Sequence, residues 1–133
     1  MKMLTKEEII SVVDISTEIV EVPEWGGAVA VREMTGLERD SFEQAMVKVA
    51  ADGKREADLT NMRAKLCAAC IVDQATGDRL FSDADLQQLA NKSAVALDRV
   101  FKAAQSINGM SADSVEDAAK NSPPAQSGSS TSV

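Results

Sequence analysis

With 133 residues, of which 44% are hydrophobic, 26% charged and only 3% aromatic, the chain is sized for one domain whose core rests on Ala, Val, Leu, Ile and Met. Fourteen Lys and Arg against 21 Asp and Glu give a formal charge of −7, with the bases interspersed among acids, which argues against nucleic acid as a partner. No run of about 18 apolar residues that would span a membrane occurs, and "MKMLTKEEII" lacks the apolar segment of a secretory signal, so the two cysteines are expected as reduced thiols in a cytoplasm.

In chain order, "TKEEIISVV" opens with Thr5 and Glu8 in capping-box spacing and predicts a short helix near residues 6–13. "TEIVEV" is β-branched, with Val20 and Val22 on one face and Glu21 on the other, and Pro23 closes it. "AVAVR" at 28–32 alternates again. The two runs predict a β-hairpin near 18–32, with Gly26 and Gly27 of "PEWGG" supplying the positive φ angles of a tight reversal. Trp25, the one tryptophan, is not required by a turn. It either folds back to cap the core or projects as an anchor for a partner.

The period then changes from two to 3.6. Thr35 and Glu38 form a second capping box, and Phe42, Ala45, Met46 and Val49 fall on one stripe of a helix ended by "ADGK" at 51–54. A third helix is predicted from Ala57 to Asp73, with Leu59, Met62, Leu66, Ala69 and Cys70 on one face. "QATGDRLF" turns at Thr76 and Gly77 and returns Leu80 and Phe81 to the core. Ser82 and Asp85 cap a short helix carrying Leu86 and Leu89. A last clear helix lies in "NKSAVALDRVFKAAQSING", with Leu97, Val100, Phe101, Ala104 and Ile107 on one face and Gly109 as its stop. "SADSVEDAAK" reads as a frayed terminal helix. From Asn121 on, the polar tail has one aliphatic side chain larger than Ala and is expected to be disordered. The fold class is therefore α+β and mainly α-helical. One N-terminal hairpin packs with four to five helices in a single domain over 1–120, and the tail spans 121–133.

Candidate chemistry is sparse. Cys67 and Cys70 make a C-x-x-C, but in mid-helix among alanines rather than at a helix N-terminus, where a thiolate is stabilised. Two thiols with no histidine and no third cysteine do not make a zinc site, so small core residues is the better reading, and no metal or cofactor is expected. The chain has no His and no Tyr for acid–base work. Its carboxylates, including Glu7, Glu8, Asp83, Asp85, Asp113, Glu116 and Asp117, sit where capping and the helix dipole favour them. No phosphate loop, dinucleotide fingerprint or nucleophile elbow occurs. An enzyme is not expected. Met46 and Met62 fall on apolar stripes and read as core, and Met34 as either a gap-filler or part of an adaptable surface. Trp25, Gly26 and Gly27 are left as the candidate partner-binding residues.

The segment "VPEWGG" followed by "VREMTGLERDSFE", then "RLFSDAD" and "KSAVALDRVFKAAQSING", resembles the tail assembly chaperones of bacteriophages with long, non-contractile tails, of the lambdoid-siphophage type. The resemblance covers about residues 4–120. It implies a non-structural helper in the host bacterial cytoplasm that coats the tape measure protein, keeps it soluble and helps recruit major tail tube subunits. It implies self-association, which as a head-to-tail contact that does not close would give an open spiral. It also implies a frameshift-extended form of the same chain. The alternative is a stable head–tail connector or tail completion subunit. A third reading is an enzyme using the Cys67/Cys70 pair.

Overall fold

The computed structural model describes residues 1–110, so the readings made for the frayed helix at 111–120 and the tail at 121–133 lie outside the described residues. The first helix, α1 (Lys6–Ser11), begins at the expected box: the Glu8 carboxylate accepts from the Thr5 N–H at 2.9 Å, and Thr5 Oγ1 accepts from the Glu8 N–H at 3.2 Å. It buries no residue.

Strands β1 (Thr17–Val22) and β2 (Gly27–Arg32) form the hairpin, antiparallel and in register from Thr17 opposite Arg32 to Val22 opposite Gly27. Val20 and Val22 turn inward and Glu21 outward, as the alternation requires. The turn corrects one expectation. Pro23–Trp25 is a single 3₁₀ turn, and the Gly26 N–H donates to the Pro23 carbonyl at 3.0 Å. Pro23 already has the φ that the first position of such a turn needs, so only Gly26 is left-handed, at φ +76°. Gly27 needs no positive φ because it is already the first residue of β2.

Helix α2 (Gly36–Ala45) starts at the Thr35/Glu38 box and buries Phe42, with Met46 fully buried as its C-terminal cap. It does not run on to Val49. Strand β3 (Val47–Val49) pairs with β4 (Arg55–Ala57) across a turn in which Gly53 has φ +84°. "VKV" and "REA" around Asp52–Gly53 are a hairpin signal, and a β-branched pair favours the strand over another helical turn. Ala45 and Val49 consequently face outward.

The next helix, α3 (Met62–Cys70), is shorter than the 57–73 predicted. Residues 55–57 belong to β4, and Asn61 enters with φ +55°, so Leu59 lies before the helix and is exposed. Its buried face is Ala64, Leu66, Cys67, Ala68 and Cys70. Ile71 and Val72 then form β5, a third strand, with Val31 opposite Ile71 and Ala30 opposite Val72. Two residues are too few to display a period, which is why this strand was not legible. The turn at Gly77 follows, and Phe81 packs on the core whereas Leu80 stays half exposed, because the bridge between Val72 and Arg79 sets its direction outward. A 3₁₀ turn at Asp83–Asp85 leads into α4 (Leu86–Ala90), with Leu89 buried. The last described helix, α5 (Ala94–Ile107), buries Leu97, Val100, Phe101 and Ala104 and ends before Gly109 at φ +69°.

The main sheet has the order β1-β2-β5, which leaves β1 on an edge, and β3-β4 is a separate ribbon. The core lies where α3 and α5 meet each other and the inner face of the hairpin. Met34 and Met46 are buried in it, and Met62 packs partly buried against it.

Candidate functional site

The hairpin tip is held by its flanks. Arg99 of α5 donates through Nε to both Glu24 carboxylate oxygens, at 2.8 and 3.1 Å. This hydrogen bond pulls the Glu24 carboxyl below its ordinary range and raises the Arg99 guanidinium further. Trp25, next in the turn, lies half-buried against the core. Its Nε1–H is buried and has no hydrogen-bond partner among the described residues. The indole is therefore held as an apolar plate, since an unmet buried donor costs about 1–3 kcal/mol rather than adding stability. Gly26 and Gly27 are exposed, and a Cβ at either would meet nothing within 4 Å. The structure thus brings the three candidate residues together, with the indole facing inward and the glycines facing solvent.

Asn108, which sequence reasoning overlooked, ties the far end of the hairpin to α5. Its Oδ1 accepts from the Met34 N–H at 2.8 Å, and its Nδ2 donates to the Ala104 carbonyl at 2.8 Å and to Cys70 Sγ at 3.4 Å. Its own carbonyl accepts from Arg39 at 3.3 Å. The available signal was Asn before Gly109 at a helix end, which indicates a cap but not a contact 74 residues away.

Cys67 and Cys70 are free and buried, one helical turn apart on the inner face of α3. Cys70 is the last helical residue, not a mid-helix one. Burial pushes the Cys67 thiol up to about 12 and the Cys70 thiol up to about 11. A thiol so placed is a poor nucleophile at neutral pH. Among the described residues, no group of three or more His, Cys, Asp or Glu could hold a metal ion, and no helix is long and apolar enough to cross a membrane.

Two apolar surfaces stand out among the described residues. A groove of about 440 Å³ opens between α2 and α3 beneath α4, floored by Phe42, Ala68 and Ala69 and edged by Leu37, Ala45 and Leu86. The cations on its wall are tied back: Lys65 donates to the Ala45 carbonyl at 3.0 Å and Arg79 to the Ala68 carbonyl at 2.9 Å. No residue before Leu37 lines it. The second surface is the N-terminal arm. Met1, Met3, Leu4, Ile9, Ile10, Val12 and Val13 are all more than half exposed, with Ile10 at 76% and Val13 at 92%. Sequence reading found this helix by its capping box but not its exposure, because a box says nothing about what a helix packs against.

The family model for phage tail assembly chaperones matches residues 11–121. No curated protein and no solved structure matches the chain. The match spans most of the 133 residues, and the chain belongs to the phage tail assembly chaperone family.

Proposed function

We propose, from membership of that family, that the chain binds the tape measure protein in the host cytoplasm, keeps it soluble, and helps recruit major tail tube subunits that displace it as the tube grows. The observation that carries this reading is the family match over residues 11–121. The surface is compatible with it: net charge −7 keeps a coat soluble, and exposed apolar patches supply reversible contacts. Many weak contacts along a filament gain strength by avidity when neighbouring copies also touch, so self-association as an open spiral belongs to the same proposal. A frameshift-extended copy would join the coat through the domain it shares with this chain. Trp25, Gly26 and Gly27 are proposed as one partner contact, with the open glycine backbone admitting a neighbour beside the indole edge. We also propose that residues 1–120 act as one unit with 121–133 outside it.

Co-expression with the tape measure protein tests this. The tape measure protein is expected in the soluble fraction only when this chain is present, and the chain is expected to be absent from purified virions. A tape measure protein equally insoluble with and without it would overturn the reading. Stoichiometric recovery of the chain in virions would favour a connector or completion subunit instead.

A further inference from the structure

We infer that Asn108–Gly109 is a self-modification site: the fold holds it closed, and opening of the α5 C-terminus lets Asn108 convert irreversibly to aspartate or isoaspartate. In this reaction hydroxide takes the proton of the Gly109 peptide nitrogen, which then attacks Cγ of the Asn108 side chain. A C–N bond forms, the Cγ–Nδ2 bond breaks, and the amide leaves as ammonia after taking a proton from water. Water then opens the five-membered imide on either side, with no oxidant or cofactor involved. Asparagine is most open to this attack when glycine follows, because glycine has no Cβ to obstruct the approaching nitrogen and leaves the backbone freest to turn. Of the four asparagines in the chain, Asn108 alone precedes a glycine, whereas Asn61, Asn91 and Asn121 precede Met62, Lys92 and Ser122.

The folded chain keeps the reacting atoms apart. Asn108 is the C-terminal cap of α5 at φ −92° and ψ 4°, which turns the Gly109 nitrogen away from Cγ. That N–H donates to the Ser106 carbonyl at 3.1 Å, and the next, of Met110, donates to the Gln105 carbonyl at 2.7 Å. The side chain is pinned as well, with Oδ1 accepting from the Met34 N–H at 2.8 Å and Nδ2 donating to the Ala104 carbonyl at 2.8 Å. Bringing nitrogen and Cγ together breaks these bonds, so attack waits for the last turn of α5 to open locally. Once converted, the side chain no longer suits its place. Asn108 ties α5 to α3 and to the segment between β2 and α2, with partners 4, 38 and 74 residues away in sequence. A carboxylate only accepts, so the Ala104 carbonyl and Cys70 Sγ lose their donor and a charge enters a half-buried joint. Isoaspartate also lengthens the backbone by a methylene and shifts the Gly109 and Met110 N–H groups off their carbonyls. Each opening that ends in conversion therefore removes a chain from refolding.

The test uses the full chain, incubated in mildly alkaline buffer either folded or unfolded in guanidinium chloride. Mass spectrometry of its peptides follows amide-to-carboxylate exchange at each asparagine. In the unfolded chain Asn108 should convert first, and about tenfold or more faster than in the folded chain. After dilution from denaturant, the fraction that regains the native melting transition should fall in step with the converted fraction. Gly109→Ala, whose Cβ has open space but sits at φ +69°, should melt lower yet convert more slowly when unfolded and keep its refolding yield longer. Asn108→Asp supplies one product directly and should melt roughly 5 °C or more below wild type. Equal conversion of Asn108 in folded and unfolded chains would overturn the inference, as would faster conversion of Asn121 than of Asn108 in the unfolded chain. Converted chains that refold fully, or an Asn108→Asp chain that melts like wild type, would overturn it too. An Asn108→Asp chain that does not fold at all supports it, and the wild-type rates stand without that variant.

Discussion

Replacing Trp25 by Ala separates its role in the fold from its role in binding. A fully buried Trp→Ala change costs about 3–5 kcal/mol, and a half-buried indole forfeits about half of that. Against this stands the buried Nε1–H, which has no partner among the described residues and whose removal relieves about 1 kcal/mol or more. The net loss is about 0.5–1.5 kcal/mol, which in a domain of this size lowers the melting temperature by roughly 2–8 °C. Trp25→Phe keeps most of the apolar plate and deletes the unmet donor, so it should melt within about 2 °C of wild type. Thermal unfolding followed by circular dichroism on dilute protein reads both. The reasoning is refuted if Trp25→Ala melts like wild type, or if Trp25→Phe falls as far as Trp25→Ala. Light scattering on the same samples reports the proposed partner contact. Lost association in Trp25→Phe with an intact transition would show that the indole edge also binds.

Replacing Cys67 and Cys70 together by Ala should leave the proposed tape measure solubilisation intact, and native protein at pH 8 should react with a thiol reagent far more slowly than unfolded protein. Both thiols are raised from 9.0, toward about 12 and about 11, so the unfolded state releases their protons first. Their contribution to stability is complete below pH 9 and is lost as pH rises through about 11 for Cys70 and about 12 for Cys67, a decline the double variant should flatten. In an NMR titration the Glu24 carboxyl should have its midpoint below the ordinary range, and Arg99→Gln should move it back up. Failure to move would show that Arg99 is not the main cause. Deleting residues 121–133 should leave the melting temperature within about 2 °C of wild type, because the segment has almost nothing apolar to bury. A larger fall would mean that the tail docks on the body.

Long, strongly periodic segments were legible from sequence. The α5 stripe of Leu97, Val100, Phe101 and Ala104, the β1–β2 hairpin and the Thr5 and Thr35 caps all follow from local rules. Short elements were not. Val47–Val49 also fits the tail of a helical stripe, and Ile71–Val72 becomes a strand only because the edge of β2 is there to pair with it. For the candidate site, sequence singled out Trp25 as surplus to a turn but gave no direction for the indole, which packs against a core assembled from elements distant in sequence. The exposure of the arm and the path of Asn108 depend on where distant elements stand, and no local pattern encodes that.

The position of β1 at the sheet's edge has a consequence for how copies can meet. Its outer backbone groups have no neighbouring strand among the described residues, and such an edge invites a second chain to add a strand and continue without limit. Glu18 and Glu21 stand exposed along it, so two such edges brought together would place like charges across a few ångströms. That repulsion is a gate that salt controls. At roughly 0.15 M ionic strength it acts over about 8 Å, and at 1 M over only about 3 Å. Concentrated sulfate or phosphate also strengthens apolar contacts. Stock solutions of this protein should therefore thicken into sheet-rich aggregate when salted with sulfate and stay clear in dilute buffer.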